Sequence, residues 1–315
     1  MIKTIRLGLI GARGYVGSEL IKLAQAHPHI ELAFVSSRER EGHLLSDYEQ
    51  NAPCGMRYCN YSAENALQNP VDILVLALPN GLAKNWVNAF DAANSECVLL
   101  DLSADYRFNT EWFYGLPELT RNNYKRQIRI SNPGCYSTAM QLAIAPMREY
   151  LAGAVQCFGV SGYSGAGVTR SNNNNPDLLK DNLIPYALQN HIHEREVAAQ
   201  MGCEVHFMPH VAPHFRGLSV TTNMQLSNAL QLEQIEVLYR DFYQNEQFVE
   251  ITTEIPWLSA VANTPNAQIG GFKLSDNGRR LVVVSVLDNL LKGAASQALQ
   301  NINLAFGMPT TLGIV

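Results

Sequence analysis

The segment RISNPGCYSTAMQLAIAPM, residues 129–147, sets one thiol, Cys135, directly after a Pro-Gly pair and at the head of a helical pattern. A helix N-terminus presents unpaired backbone N–H groups and partial positive charge, so a cysteine there can be held as a thiolate nucleophile. The alternative for such a residue is a small buried core position. A second chemical signal lies near the start, in GLIGARGYVG, where Gly11, Gly14 and Gly17 follow an apolar run and open a helical one. Glycines in a strand-turn-helix setting let backbone approach a pyrophosphate, so Gly11, Ala12, Arg13, Gly14, Tyr15, Val16 and Gly17 are candidate dinucleotide-binding residues. The following apolar run ends in Ser36, Ser37 and Arg38 rather than an acid. Two hydroxyls and a guanidinium suit a 2′-phosphate, which points to NADP over NAD. Hydride transfer to a carboxylic acid derivative requires a covalent thioester, because a free carboxylate resists hydride, and Cys135 is placed to form one. The proton handling falls to histidine, and NHIHEREV offers His191 and His193 with Glu196 close by. The same H-x-H-x-x-E spacing could bind a metal, but no carboxylate-rich motif completes a shell, so no metal is expected.

These groups need elements to hold them. TIRLGLIG, IELAFVSS, VDILVLALP and CVLLDLSADYRF read as continuous apolar strands alternating with helices such as YVGSELIKLAQAH. That rhythm predicts a parallel sheet covered on both faces, a Rossmann-type dinucleotide-binding domain. After about residue 155 the pattern changes to QCFGVSGYSG, EVHFMPHV and GLSVTTNMQL, with a hairpin turning at Asp276-Asn277-Gly278. The expectation is an α/β chain: a Rossmann-type domain over 1–136, completed by a C-terminal helix in 290–315, and an α+β domain with a mainly antiparallel sheet over 137–289. The last helix is expected to carry Leu291, Ala295, Ala298, Leu299, Ile302 and Phe306 on one apolar face. TRSNNNNPDLL is the candidate mobile loop.

A length of 315 residues fits two domains better than one core. The net charge of −5, without a basic run, argues against nucleic acid and anionic membrane partners. The N-terminal apolar run is too short for a signal peptide, and the six scattered cysteines fit reduced thiols in the cytoplasm.

Taken together, GARGYVGSEL, DLSADYRF, YGLPEL, SNPGCYSTAMQLAIAP, VSGYSGAG, PYALQNHIHEREV, PHFRGLSV and DNLLKGAASQA make the chain resemble the N-acetyl-gamma-glutamyl-phosphate reductase family of the semialdehyde dehydrogenase group, over essentially its whole length. The resemblance implies NADPH-dependent reduction of an acyl phosphate to a semialdehyde and inorganic phosphate, in a homo-oligomer (dimer or tetramer). It implies Cys135 as nucleophile and His191 as acid–base partner, with His193 and Glu196 beside it and His193 the other candidate for the base. Ser164, Gly165 and Tyr186 would be further active-site residues, and Asn289 a nicotinamide-side contact. Arg107 of DYRF would bind phosphate, with Arg216 and Arg170 as the next candidates. Many relatives read H-R-H-x-P-E, whereas this chain has Ile192 and Arg195 in place of the arginine and the proline. A substrate one methylene longer is the nearest rival, since a methylene discriminates by only ~1–3 kcal/mol. A redox sensor using Cys135 would want a resolving cysteine, and none lies within twenty residues of it.

Overall fold

The computed structural model describes residues 3–314. The chain divides into two compact units, Met1–Pro133 with Ala294–Val315, and Gly134–Gly293.

In the first unit the strands are β1 (Ile5–Ile10), β2 (Ile30–Ser36), β3 (Tyr58–Cys59), β4 (Ile73–Leu76), β5 (Val98–Asp101), β6 (Phe113–Tyr114) and β7 (Arg129–Ser131). They form one seven-stranded sheet in the order β3-β2-β1-β4-β5-β7-β6, and each of its pairings is parallel. The central strands β4 and β5 are buried along their whole length, the reason their sequences are continuous apolar runs rather than alternating ones. The strand order reverses between β1 and β4, which opens the ligand crevice of such sheets at the carboxyl end of β1.

The C-terminal segment corrects one expectation. A π-helical turn, Leu291–Ala295, precedes the Ser296–Ala305 helix. From Ser296 to Asn303 that helix is buried on every side, polar residues included, instead of showing a single apolar face. Its buried amides are paired, as they must be in a core. Asn301 Nδ2 donates to Gly115 O at 3.0 Å and to Asn132 Oδ1 at 2.8 Å. Asn303 Nδ2 donates to Leu312 O at 2.9 Å, and Asn303 Oδ1 accepts from buried His27 at 3.1 Å. Hydrophobic periodicity cannot register amides that are buried because they have partners.

The second unit holds β8 (Val155–Gly162), β9 (Ile184–Pro185), β10 (Val205–Ala212), β11 (Leu218–Gln225), β12 (Val249–Ile251), β13 (Ala267–Leu274) and β14 (Arg280–Leu287). Their order is β12-β13-β14-β11-β8-β10-β9. β8–β10 and β12–β13 pair in parallel and the remaining neighbours are antiparallel, so the sheet is mixed with antiparallel pairing in the majority. The β13–β14 hairpin turns at the Asp-Asn-Gly sequence, where Gly278 takes φ +68°. One face of the sheet carries the Cys135–Ile144 helix, which packs on β11 and β14 and is buried from Tyr136 onward. Ser285 on β14 donates its hydroxyl to Ala139 O of that helix at 3.0 Å. The Asn-rich stretch is ordered into a short 3-10 turn, Asn172–Asn174, and the Pro176–Leu179 helix. Asn174 ties it back, donating to Gly167 O and Thr169 O at 2.8 and 2.7 Å.

Candidate active site

The glycine turn of the first unit is built by backbone constraints. Gly11 ends β1 at φ +84°, and a Cβ there would lie 2.1 Å from Ala77 O. The Gly11 and Ala12 N–H groups both donate to Ser36 O at 3.1 Å, which ties the turn to the tip of β2. Gly17 lies in the first turn of the Tyr15–Ala26 helix, where a Cβ would approach Gly11 O to 2.7 Å. No side chain caps that helix, so its first N–H groups face the turn. At the end of β2, Ser36 Oγ accepts from Tyr61 N–H at 3.1 Å. Ser37 is only 6% exposed, and among the described residues its hydroxyl has no hydrogen-bond partner. A buried orphan hydroxyl costs free energy unless a ligand completes it, and this one lies where a dinucleotide's ribose phosphate would be read. Arg38 is exposed and pairs with Glu39 at 3.4 Å, and Glu39 also faces Arg13 at 3.6 Å. The residues present fit a nicotinamide dinucleotide.

In the second unit Cys135 is the first residue of its helix, and Gly134 is the N-cap with extended backbone. The Gly134 N–H donates to Glu196 Oε1 at 3.0 Å, from a glutamate that is fully buried. Glu196 therefore anchors the backbone that presents the thiol. A set of rings packs together in the same unit. Tyr136 and Tyr186 both feel the charge of Cys135. Burial pushes both phenols up from their ordinary range, so they stay protonated. Tyr136 donates its hydroxyl to His210 O at 2.7 Å. The Tyr186 ring packs edge-on against His191 with centroids 5.6 Å apart, and His191 packs on His193 at 4.8 Å. Phe207 closes the set against His191 at 5.3 Å and Tyr136 at 4.8 Å. His191 is the N-cap of the Ile192–Met201 helix, its Nδ1 accepting from the His193 N–H at 3.1 Å.

Other candidate residues have defined partners. Asn289 donates from Nδ2 to Ser164 Oγ at 2.9 Å and accepts from Gly217 N–H at 2.6 Å. Next to Ser164 is Gly165, where a Cβ would meet Ser161 Oγ at 3.2 Å. Arg216 holds fully buried Asp288 through Nε at 2.7 Å and Nη2 at 3.2 Å, and donates from Nη1 to Asn263 at 2.7 Å. It also lines a cavity of about 600 Å³ with His214 and Trp257. In the first unit Arg107 is buried and donates from Nε to Asn132 O at 2.8 Å and from Nη2 to Leu102 O at 2.9 Å. Arg170 lies in the exposed stretch before Asn172.

Sequence reasoning overlooked Tyr136 and Phe207 as walls of the site, and Asp288 as the buried partner of Arg216. A Cβ at Gly293 would lie 2.6 Å from Cys135 Cβ, so this glycine is what leaves room for the nucleophile. Among the described residues no group of three or more His, Cys, Asp or Glu side chains could hold a metal ion.

Two family models match the chain: the semialdehyde dehydrogenase NAD-binding domain over residues 6–127, and the semialdehyde dehydrogenase dimerisation domain over 135–289. The second begins at Cys135 and ends at Asn289. An N-acetyl-gamma-glutamyl-phosphate reductase of Stenotrophomonas maltophilia is 57% identical over 97% of this chain and 96% of its own. One from Xanthomonas campestris pv. campestris is 56% identical over 97% of each. The chain belongs to the N-acetyl-gamma-glutamyl-phosphate reductase family. Among solved structures, aspartate semialdehyde dehydrogenase II from Vibrio cholerae matches with TM-score 0.77 at 18% identity, covering 96% of this chain and 98% of that one. Aspartate semialdehyde dehydrogenase with NADP from Candida albicans matches at TM-score 0.75 and 15% identity, over 97% and 99%. At such identities these two share the fold with this member of the reductase family, and nothing finer follows from them.

Proposed function

We propose that the chain reduces N-acetyl-gamma-glutamyl phosphate to N-acetylglutamate 5-semialdehyde and phosphate with NADPH, through a thioester on Cys135, in arginine biosynthesis. The observation that carries this reading is Cys135 at the head of a buried helix, with the N–H of the preceding Gly134 held by the buried Glu196 carboxylate. The helix N-terminus favours negative charge on the sulfur. The thiolate attacks the acyl carbon, phosphate departs, and a thioester remains on Cys135. NADPH, when bound, supplies the hydride that converts the thioester to a thiohemiacetal oxyanion. His191, with His193 and Glu196 beside it, is the proposed acid–base partner that manages the proton, and return of the C–S electron pair to Cys135 releases the aldehyde. Arg107 and Arg216 are the proposed phosphate-binding cations, and in Arg107 two backbone carbonyls fix the orientation of the guanidinium fork. Ser164, Gly165, Tyr186 and Asn289 are the proposed further substrate- and nicotinamide-side contacts. The orphan Ser37 hydroxyl and Arg38 support NADP as the cofactor.

We place the protein in the cytoplasm as a homo-oligomer. None of the six cysteines forms a disulfide, and no described helix is long and apolar enough to cross a membrane. The dimerisation-domain match covers the second unit, whose sheet presents exposed Gln156, Phe158 and His206 on one face. The deciding assay supplies N-acetylglutamate semialdehyde and NADP⁺ and varies inorganic phosphate. NADP⁺ reduction should rise with phosphate and saturate, and reduction independent of phosphate would reject the acyl-phosphate reading.

Arg38→Ala is expected to weaken NADP by roughly one to two decades while leaving NAD nearly unchanged, because a charge-assisted contact contributes ~1.5–3 kcal/mol. Fluorescence titration with each cofactor measures it. Equal loss for both would make Arg38 a structural residue.

A further inference from the structure

Just past the end of β14, nitrogens from four segments converge on the carboxylate of Asp288, a side chain with no exposed surface. Its Oδ1 accepts from Leu290 N–H at 2.9 Å, Leu291 N–H at 3.1 Å and Arg216 Nη2 at 3.2 Å. Its Oδ2 accepts from Asn263 N–H at 2.6 Å and lies 2.7 Å from Arg216 Nε. The next residue extends the lock: Asn289 accepts from Gly217 N–H at 2.6 Å and donates to Ser164 Oγ at 2.9 Å. A buried ion pair adds little net stability, because desolvating both charges offsets their attraction; a best-attested use is to fix one geometry. Here that geometry is the entry to the π-helical turn Leu291–Ala295. The first N–H groups of a helical turn have no partner within it, and Asp288 supplies one to Leu290 and Leu291. The backbone carbonyl of Asp288 also takes the Gly293 N–H at 2.9 Å, the i to i+5 bond that defines a π turn. Asp288 therefore holds this turn twice, by its carboxylate at the entry and by its carbonyl at the third residue. Turns of this type are frequent at functional sites. This one abuts the nucleophile, since a Cβ on Gly293 would fall 2.6 Å from Cys135 Cβ and 3.1 Å from its Cα.

We propose that Asp288 is a positioning residue: through the π-helical turn it sets where Gly293 lies against Cys135, and Arg216 holds the carboxylate in place for that task. The proposal rests on Cys135 as the nucleophile of the thioester reading and names what fixes its clearance. Asp288 is enclosed on all sides, so its effect on the reaction passes through the turn. The two constraints act on one contact from opposite directions. The absent Cβ of Gly293 leaves room for Cys135, and the bonds to Asp288 keep the turn from moving into or out of that room.

Asp288→Asn keeps the shape and one acceptor oxygen but turns an amide N–H₂ toward groups that can only donate. Arg216 lines the cavity beside His214 and Trp257, so water can take up its guanidinium once the carboxylate is lost, and the variant should fold. In the resting enzyme, hydrogen exchange of the peptide spanning 288–293 should rise at least about tenfold, the scale of one buried hydrogen bond to a charge. In the phosphate-dependent assay kcat should fall by about 10- to 100-fold, because displacement of a reacting atom by up to about 1 Å costs that much. The deciding measurement is a double-mutant cycle with Gly293→Ala. Once Asp288→Asn has released the turn, the added methyl group has room. The double variant should therefore lose no more than about threefold in kcat beyond Gly293→Ala alone. A merely structural residue would lower the melting temperature and leave the two kcat losses independent. Losses that multiply, unchanged exchange over 288–293, or wild-type kcat in Asp288→Asn would each overturn the proposal. If Asp288→Asn does not fold, Asp288→Ser enters the same cycle, its hydroxyl still able to accept a turn-start N–H. Exchange needs neither substrate nor cofactor, so its failure is separate from that of the reductase reading, which phosphate dependence decides.

Discussion

Cys135→Ser is expected to bind NADP as the wild type does and to turn over slower by a factor on the order of 10⁴–10⁶, the scale on which loss of a nucleophile is felt. The substitution is nearly isosteric, and serine is acceptable at the first position of a helix whose remaining residues are buried. The fold should therefore be unaffected. What changes is the charge that the helix terminus can hold: a hydroxyl stays protonated near neutral pH, whereas a thiol is within reach of ionisation. Cofactor titration and single-turnover kinetics on the same preparation separate binding from chemistry. A serine enzyme retaining more than about a hundredth of the normal rate would sink the thioester mechanism. In the wild type, alkylation should be faster at Cys135 than at the other cysteines. Of those, burial pushes Cys97 and Cys157 up to about 12, which leaves them as inert thiols.

The second large effect is expected from one added methyl group. A Cβ on Gly293 would lie 2.6 Å from Cys135 Cβ, 3.1 Å from its Cα and 3.2 Å from Leu287 Cδ1. Two of those atoms belong to the nucleophile's own backbone and its first side-chain carbon, so no rotamer change relieves the clash. The first turn of the Cys135–Ile144 helix or the π-helical turn must move. Overpacking of this kind costs ~1–3 kcal/mol, which a protein of this size survives. Catalysis is less tolerant, because a displacement of about 1 Å at a reacting atom lowers the rate ~10²-fold. Gly293→Ala should thus fold, melt a few degrees lower and lose about two decades of kcat. Gly153→Ala, where an added Cβ would meet nothing within 4 Å, serves as the control. Wild-type kcat in Gly293→Ala would mean that the helix start has slack and that Cys135 is not closely positioned from this side.

The parts legible from the amino-acid order alone were those decided by local geometry. Gly11 and Gly17 announce the dinucleotide turn because any Cβ there would collide with Ala77 O or Gly11 O. The apolar runs of β4 and β5 announce a parallel sheet because burial on both faces leaves no polar alternate position. Cys135 could be singled out because Pro133 and Gly134 end one pattern where a helix begins. The pairing of Tyr136 with Tyr186, the packing of Phe207 on His191, and the approach of Gly293 to Cys135 Cβ were decided only by folding. They join positions from 16 to 158 residues apart along the chain, in different elements, and helix or strand spacing does not relate them. Likewise the buried polar helix Ser296–Ala305 defeats periodicity, since amides such as Asn301 and Asn303 are inside only because specific carbonyls and His27 await them.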